Sequence, residues 1–220
     1  LIDTKNSLYD SIPWALLFVF GVTFIALFLM FGSVVLPLKA VIMNALSIGA
    51  TFGVLVWIFQ DGNLAGPLNF ESSGFLVSAL PMLLFGVVFG LSMDYEVFLL
   101  SRVKEEYDRS GDNTQAVSKG LQHTGRIITS AALLFIVVTG AFATADIVII
   151  KSLGVGMAIA IALDATIVRA LLVPATMRLM GDYNWWAPRP LKWVWDRIGI
   201  KETEGPAALT PTPAGVGDDD

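Results

Sequence analysis

The 220-residue sequence has no cysteine and a single histidine, His123. Disulfides and thiolate metal sites are therefore excluded, and a histidine-rich metal centre lacks ligands. No metal and no cofactor is expected. Charge is also scarce. Asp, Glu, Lys and Arg make up 15% of the chain, against about a quarter in a soluble domain. The uncharged residues are clustered. No charge falls between Asp10 and Lys39, between Lys39 and Asp61, between Glu71 and Asp94, or between Arg126 and Asp146. Each gap is long enough for a bilayer-spanning helix, which needs roughly 20 apolar residues. The net charge of −5 comes largely from the tail, and no nucleic-acid partner is expected.

The chain is 55% apolar with a mean hydropathy of +0.70. It reads as an all-α polytopic membrane bundle of five transmembrane helices with a short cytoplasmic helix. The spans run from about Ile12 to Gly32, Leu38 to Phe59, Val77 to Ser101, Ile127 to Ala145 and Ile149 to Thr176. Domain boundaries follow. Residues 1–11 precede the first span and 12–180 form the five-span domain. Residues 181–204 are a cytoplasmic juxtamembrane segment, and 205–220, with no bulky apolar residues to drive a core, read as a disordered tail. The stretch from Leu1 to Pro13 has no basic n-region, no cleavage site and no initiator Met. It reads as part of a fragment or a processed piece.

Lys and Arg set the orientation. Lys39, Arg102, Lys104, Arg109, Lys119, Arg126, Arg178, Arg189, Lys192, Arg197 and Lys201 fall on one side, and only Lys5 and Lys151 on the other. This predicts an extracytoplasmic N-terminus and a cytoplasmic C-terminus. Trp14 and Trp57 then mark the outer interface, and Trp185, Trp186, Trp193 and Trp195 the inner one, where amphipathic rings settle. Between the third and fourth spans, Lys104 to Arg109 continues a helix into water and Ser110-Gly111-Asp112-Asn113 breaks it. Asp112 or Asn113 can cap a second short helix, Thr114 to Gln122, with an apolar stripe of Ala116, Val117 and Leu121. That helix is expected either on the inner membrane surface or as a plain connector.

Charges inside a span are costly and mark function by default. Asp94 lies near mid-depth, roughly 12 Å above Arg102 at 1.5 Å per residue. Tyr95 adds a hydroxyl beside it, while Glu96 falls about 200° round the helix and is harder to place. Gly86, Gly90 and Asp94 share one helix face, and a small-residue face lets another helix approach closely. Asp94 is therefore expected between helices, as a proton carrier or as a structural polar contact. Gly49 and Gly53 read as a packing pair. Asp164 and Arg169 are spaced i, i+5, poor for an ion pair within one helix. Arg169 is expected to snorkel, and both residues read as packing groups or as supports of the relay. Thr129, Ser130 and Thr139 can donate toward Asp94, although hydroxyls in membrane helices more often bond their own backbone.

Gly90-Leu-Ser-Met-Asp94-Tyr95-Glu-Val-Phe-Leu-Leu-Ser-Arg102-Val-Lys-Glu105-Glu106 resembles the MMPL family of lipid and drug exporters in the RND superfamily. The resemblance continues through Ile128-Thr-Ser-Ala-Ala132, Ala162-Leu-Asp164-Ala-Thr-Ile-Val-Arg169 and Met180-Gly-Asp-Tyr-Asn184-Trp185-Trp186. It implies the last five spans of a twelve-span transporter, preceded at residues 1–11 by the end of an extracytoplasmic domain, in which Asp94 and Tyr95 are the second-half pair of a proton relay. The implied setting is a bacterial inner membrane. The implied partners are membrane lipids, a lipid or other hydrophobic cargo, and the N-terminal half of the transporter. A non-transporting module, a sterol-sensing-like bundle or a remnant, stands as the alternative. An intramembrane aspartyl protease using Asp94 and Asp164 fails at both of its motifs, so no enzyme is expected.

Overall fold

The structure, a computed structural model, describes residues 2–70 and 79–199, with side chains from residues 12 and 80 onward in those two stretches. Helix dominates, and no strand occurs among the described residues. Five helical stretches are long and apolar enough to cross a membrane: Ile12–Phe31, Val35–Gln60, Leu80–Ser110, Asn113–Thr144 and Val148–Trp185. The expected all-α bundle is present. The expected tail at 205–220, and the beginning of the third span at Val77, lie outside the described residues.

The first span belongs to α1 (Ile2–Phe31) and the second to α2 (Val35–Leu55), which ends in a π-helical turn, Val56–Gln60. A short helix, α3 (Ala65–Leu68), lies beyond it. The third and fourth spans are α4 (Ala79–Ser110) and α5 (Asn113–Gly140). The fifth is α6 (Val148–Leu163), a π-helical stretch Asp164–Leu172, and α7 (Val173–Met180). A last helix, α8 (Arg189–Ile198), follows. In the bundle α6 packs against α2, α4 and α5, while α1 packs mainly on α2.

Two glycines explain how α6 reaches its neighbours. A Cβ on Gly154 would lie 2.3 Å from Phe142 Cβ and 2.5 Å from the Thr139 carbonyl oxygen. A Cβ on Gly156 would meet Leu55 at 2.9 Å. Between membrane helices, close approach of this kind replaces the hydrophobic drive of soluble cores. Gly49, Gly53, Gly86 and Gly90 instead have open space where a Cβ would stand. The expected packing at Gly49 and Gly53 is therefore absent within the described chain. Outward-facing Leu17, Phe18, Val22, Leu133, Leu134 and Val137 are exposed, a surface suited to lipid rather than water.

The turns form as their residues dictate. Asp112 accepts from the backbone amides of Thr114 (2.8 Å) and Gln115 (3.2 Å), capping α5. Asn113 does another job: its amide donates to the Met177 carbonyl at 2.9 Å, and it accepts from Trp185 Nε1 at 3.2 Å. The expected short helix from Thr114 to Gln122 is not separate. It is the start of α5 and runs unbroken into the fourth span. Its stripe is covered by protein, since Ala116 and Val117 are buried and Gly120 sits against Val103 of α4.

Candidate functional site

α4 carries three consecutive ionisable residues at its centre, and they point different ways. Asp94 is exposed, Tyr95 is half-buried and Glu96 is 4% exposed. A helix turns by about 100° per residue, so Asp94 and Glu96 cannot share a face. Gly86 and Gly90 are exposed along with Asp94. The glycine stripe and its carboxylate thus form an open strip on the outside of the bundle. Asp94 makes no side-chain hydrogen bond or ion pair to any described residue. The expectation that Asp94 sits between helices is not met within this chain. The stripe is where the spacing puts it, but none of the other four spans covers it.

The opposite side of α4 faces a buried polar centre. Arg169 Nε donates to Asp164 Oδ2 at 2.8 Å, with both residues at most 6% exposed. Arg169 Nη2 donates to the backbone carbonyl of Ser92 and also lies 3.2 Å from the Ser92 hydroxyl. Ser92 in turn donates to Asn44 Oδ1 of α2 at 2.5 Å. The Arg169 guanidinium lies 5.0 Å from the centre of the Tyr95 ring, within cation–π range. One arginine therefore ties the fifth span to α4 directly beneath Tyr95, and through Ser92 to α2.

Two expectations for Asp164 and Arg169 are overturned. Arg169 does not snorkel; it is buried. The i, i+5 spacing does form an ion pair. In an α-helix, residues five apart are about 140° out of register. The stretch from Asp164 to Leu172 is π-helical, and i→i+5 hydrogen bonding brings such residues onto one face. π-helical turns are rare and concentrate at functional sites. No pattern in the sequence announces one.

Lys39 was counted among the surface charges that set orientation, yet it is 6% exposed. It forms no ion pair within 4 Å among the described residues, and Arg169, Lys39 and Asp164 are the charged groups near the buried Glu96. Around α4 the buried charged groups are thus two acids, Glu96 and Asp164, and two bases, Lys39 and Arg169. Sequence reading missed Lys39, Asn44 and Ser92 and left Glu96 unplaced. The available signal was a set of polar residues within otherwise uncharged runs.

The hydroxyls of the fourth span do not reach Asp94. Thr129 donates to the Gly125 carbonyl and Thr139 to the Phe135 carbonyl, each at 2.7 Å. Ser130 is exposed and makes no hydrogen bond to Asp94. No group of three or more His, Asp or Glu side chains able to hold a metal occurs among the described residues.

Comparison with known proteins matches residues 3–209 to the MMPL family. A membrane protein of Streptomyces coelicolor is 48% identical over 97% of this chain and 30% of its own length. The trehalose monomycolate exporter MmpL3 of Mycolicibacterium smegmatis is 47% identical over 93% of this chain and 20% of its own length. The heme uptake protein MmpL11 of Mycobacterium tuberculosis is 44% identical over 85% of this chain and 19% of its own length. The chain thus spans 19–30% of the length of these relatives. With five apolar helices and this match over nearly its whole length, the chain is a multi-pass membrane protein and belongs to the MMPL family.

Proposed function

We propose that this chain is the C-terminal membrane part of a proton-driven exporter of lipids or other hydrophobic molecules, with Asp94 and Tyr95 carrying part of the proton relay. One observation carries the reading. An intramembrane carboxylate stands on an open, glycine-lined face, with its tyrosine neighbour seated on a buried arginine. A charge facing hydrocarbon is costly, so the strip calls for a covering helix. The N-terminal half of the transporter supplies that helix, closing against Gly86 and Gly90 and enclosing Asp94. Protonation of Asp94 then removes a charge from the interface between the halves. α4 shifts against its cover, and the fifth span follows through Arg169. Asp164 and Arg169 act as supports of the relay, since they fix the seat of Tyr95.

The cargo class is drawn from the relatives, one of which is named as an exporter of trehalose monomycolate and another for heme uptake. Both cargoes are bulky and largely apolar. Those relatives are named for transport rather than for catalysis. The membrane is the bacterial inner membrane. The surface Lys and Arg residues support an extracytoplasmic N-terminus and a cytoplasmic C-terminus. Removing the buried Lys39 from the count leaves the asymmetry intact.

The test is export by the complete transporter carrying Asp94→Asn or Asp94→Glu, with membrane abundance measured in parallel. Asp94→Asn abolishes export at normal abundance, and Asp94→Glu keeps part of it. Normal export by Asp94→Asn contradicts the relay.

A further inference from the structure

A cavity of about 520 Å³ opens where the ends of α1 and α4 meet α8. It lies at the far end of the bundle from α3 and has no part in the Asp94 site. Its size falls in the range of ligand pockets, roughly 300–1,000 Å³. Two lysines, Lys104 and Lys192, and one acid, Asp182, stand in its wall with Tyr107, Trp185 and Trp195.

The walls are built rather than incidental. Tyr107 stacks on Trp185 at 4.4 Å between ring centres, and Lys104 lies 5.3 Å from the Trp185 ring centre. Trp195 donates from Nε1 to the Leu29 carbonyl at 3.0 Å and covers Gly32, where a Cβ would lie 2.7 Å from the indole. Gly32 has φ of 67°, so glycine is required there twice over. Ser33 donates to the Asn184 carbonyl at 2.5 Å. Together these contacts fix the segment before α8 and α8 itself against the end of α1.

Asp182 also lines the cavity, so the excess of positive charge near it comes from α8. Lys104 pairs with Asp108, and Tyr107 donates to Asp182 at 3.4 Å. Lys192 is exposed and forms no ion pair with a described residue. On α8, Arg189, Lys192 and Arg197 face a single acid, Asp196. Leu191, Val194, Trp195 and Ile198 fall on one side of the same helix, with Arg189, Lys192 and Arg197 on the other. A short helix with an apolar face and a basic face lies in the interfacial plane of a bilayer. The cavity therefore opens at headgroup depth, with aromatic walls and cations at its edge.

We propose that this cavity binds the headgroup of an anionic phospholipid, with Lys192 and Lys104 holding its phosphate and the aromatic walls holding the glycerol and the first acyl carbons. An anionic headgroup gains from the three basic residues against one acid on α8, which a net-neutral zwitterionic headgroup does not. Basic pockets between membrane helices recognise anionic headgroups in this manner. The proposal stands apart from the relay and does not depend on it.

The test uses the complete protein purified in detergent. It is titrated separately with dioleoyl phosphatidylglycerol, dioleoyl phosphatidylcholine and inorganic phosphate, and read by thermal unfolding and native mass spectrometry. Phosphatidylglycerol raises the melting temperature saturably and is retained in the mass spectrum, whereas the other two do neither. Lys192→Glu weakens that affinity by about fivefold or more, and Lys104→Gln by about fivefold. Lys192 is exposed, so its variant folds. Equal response to phosphatidylcholine, or variants that bind as the wild type does, overturns the proposal. Saturable stabilisation by phosphate alone also overturns it, by making the cavity a free-anion site.

Discussion

Asp94 and Glu96, two residues apart on α4, face opposite sides of the helix: Asp94 is exposed, and Glu96 is 4% exposed. The helix is therefore a partition. One face offers a carboxylate and two glycines to whatever covers it. The other turns Glu96 into the buried interior near Lys39, Asp164 and Arg169. This division predicts that substitutions on the two faces fail in different ways.

On the open face, Gly86→Leu and Gly90→Leu point into open space, since no neighbouring atom of the described residues lies within 4 Å of either Cβ position. The five-span body inserts normally. The covering half of the transporter can no longer approach, and export falls at least about tenfold, on the argument that small residues set how closely membrane helices approach. Membrane abundance and export measured together check this. Reduced abundance in proportion to export would place the defect in folding instead.

On the closed face, the Asp164–Arg169 pair cannot lose one member cheaply. Asp164→Leu or Arg169→Met alone leaves a buried charge unpaired, a loss of about 3–5 kcal/mol. The double variant Asp164→Leu with Arg169→Met restores most of the stability, because a buried ion pair and an apolar pair are often close in energy. Thermal unfolding of all three variants in detergent measures the coupling. Additive losses in the double variant would show that the two residues act separately.

The five spans were legible in the sequence because hydrocarbon forbids unpaired charge, and the uncharged runs count out the spans directly. The cap at Asp112 and the glycine stripe with Asp94 were legible for the same kind of local reason. The stripe's cover was not, because the helix expected to pack there is absent among the described residues. Asp164 and Arg169 were read as a poor pair because α-helical geometry was assumed, and a π-helical stretch changes which residues align. Lys39 was read as a surface charge because it follows a turn. Only the third dimension shows that it is buried, with Glu96 of α4 among the charged groups near it. The start of α5 was read as a separate helix because its stripe is apolar on one side. Val103 covers that stripe from another span, which no local pattern reveals.

Close packing around α6 gives a third prediction. Gly154→Ala places a methyl group 2.3 Å from Phe142 Cβ, and the backbone oxygen of Thr139 blocks the alternative escape. Overpacking of this kind costs about 1–3 kcal/mol. The variant should unfold at lower temperature than Gly53→Ala, which has open space. Equal melting temperatures would argue against the helix contact.

At the opposite end of the bundle from α8, Lys151 is buried and donates to the carbonyls of Leu68 (2.5 Å) and Asn69 (2.9 Å). It closes the end of α3, where Asn69 adopts φ of 48°. Lys151→Met removes two charged hydrogen bonds, each worth about 1.5–3 kcal/mol. Amides of residues 65–70 should then exchange at least about tenfold faster by hydrogen–deuterium exchange, while those of α6 stay protected. Unchanged exchange would show that the loop is fixed by other contacts.

The central claim is that Asp94 takes up and releases a proton during transport. Difference infrared spectroscopy on the complete transporter, recorded across a pH series, reads carboxyl protonation directly. A protonated-carboxyl band that titrates in step with the pH dependence of export, and that vanishes in Asp94→Asn at normal abundance, is the predicted result. A titrating band and a pH profile that both survive unchanged in Asp94→Asn would contradict it.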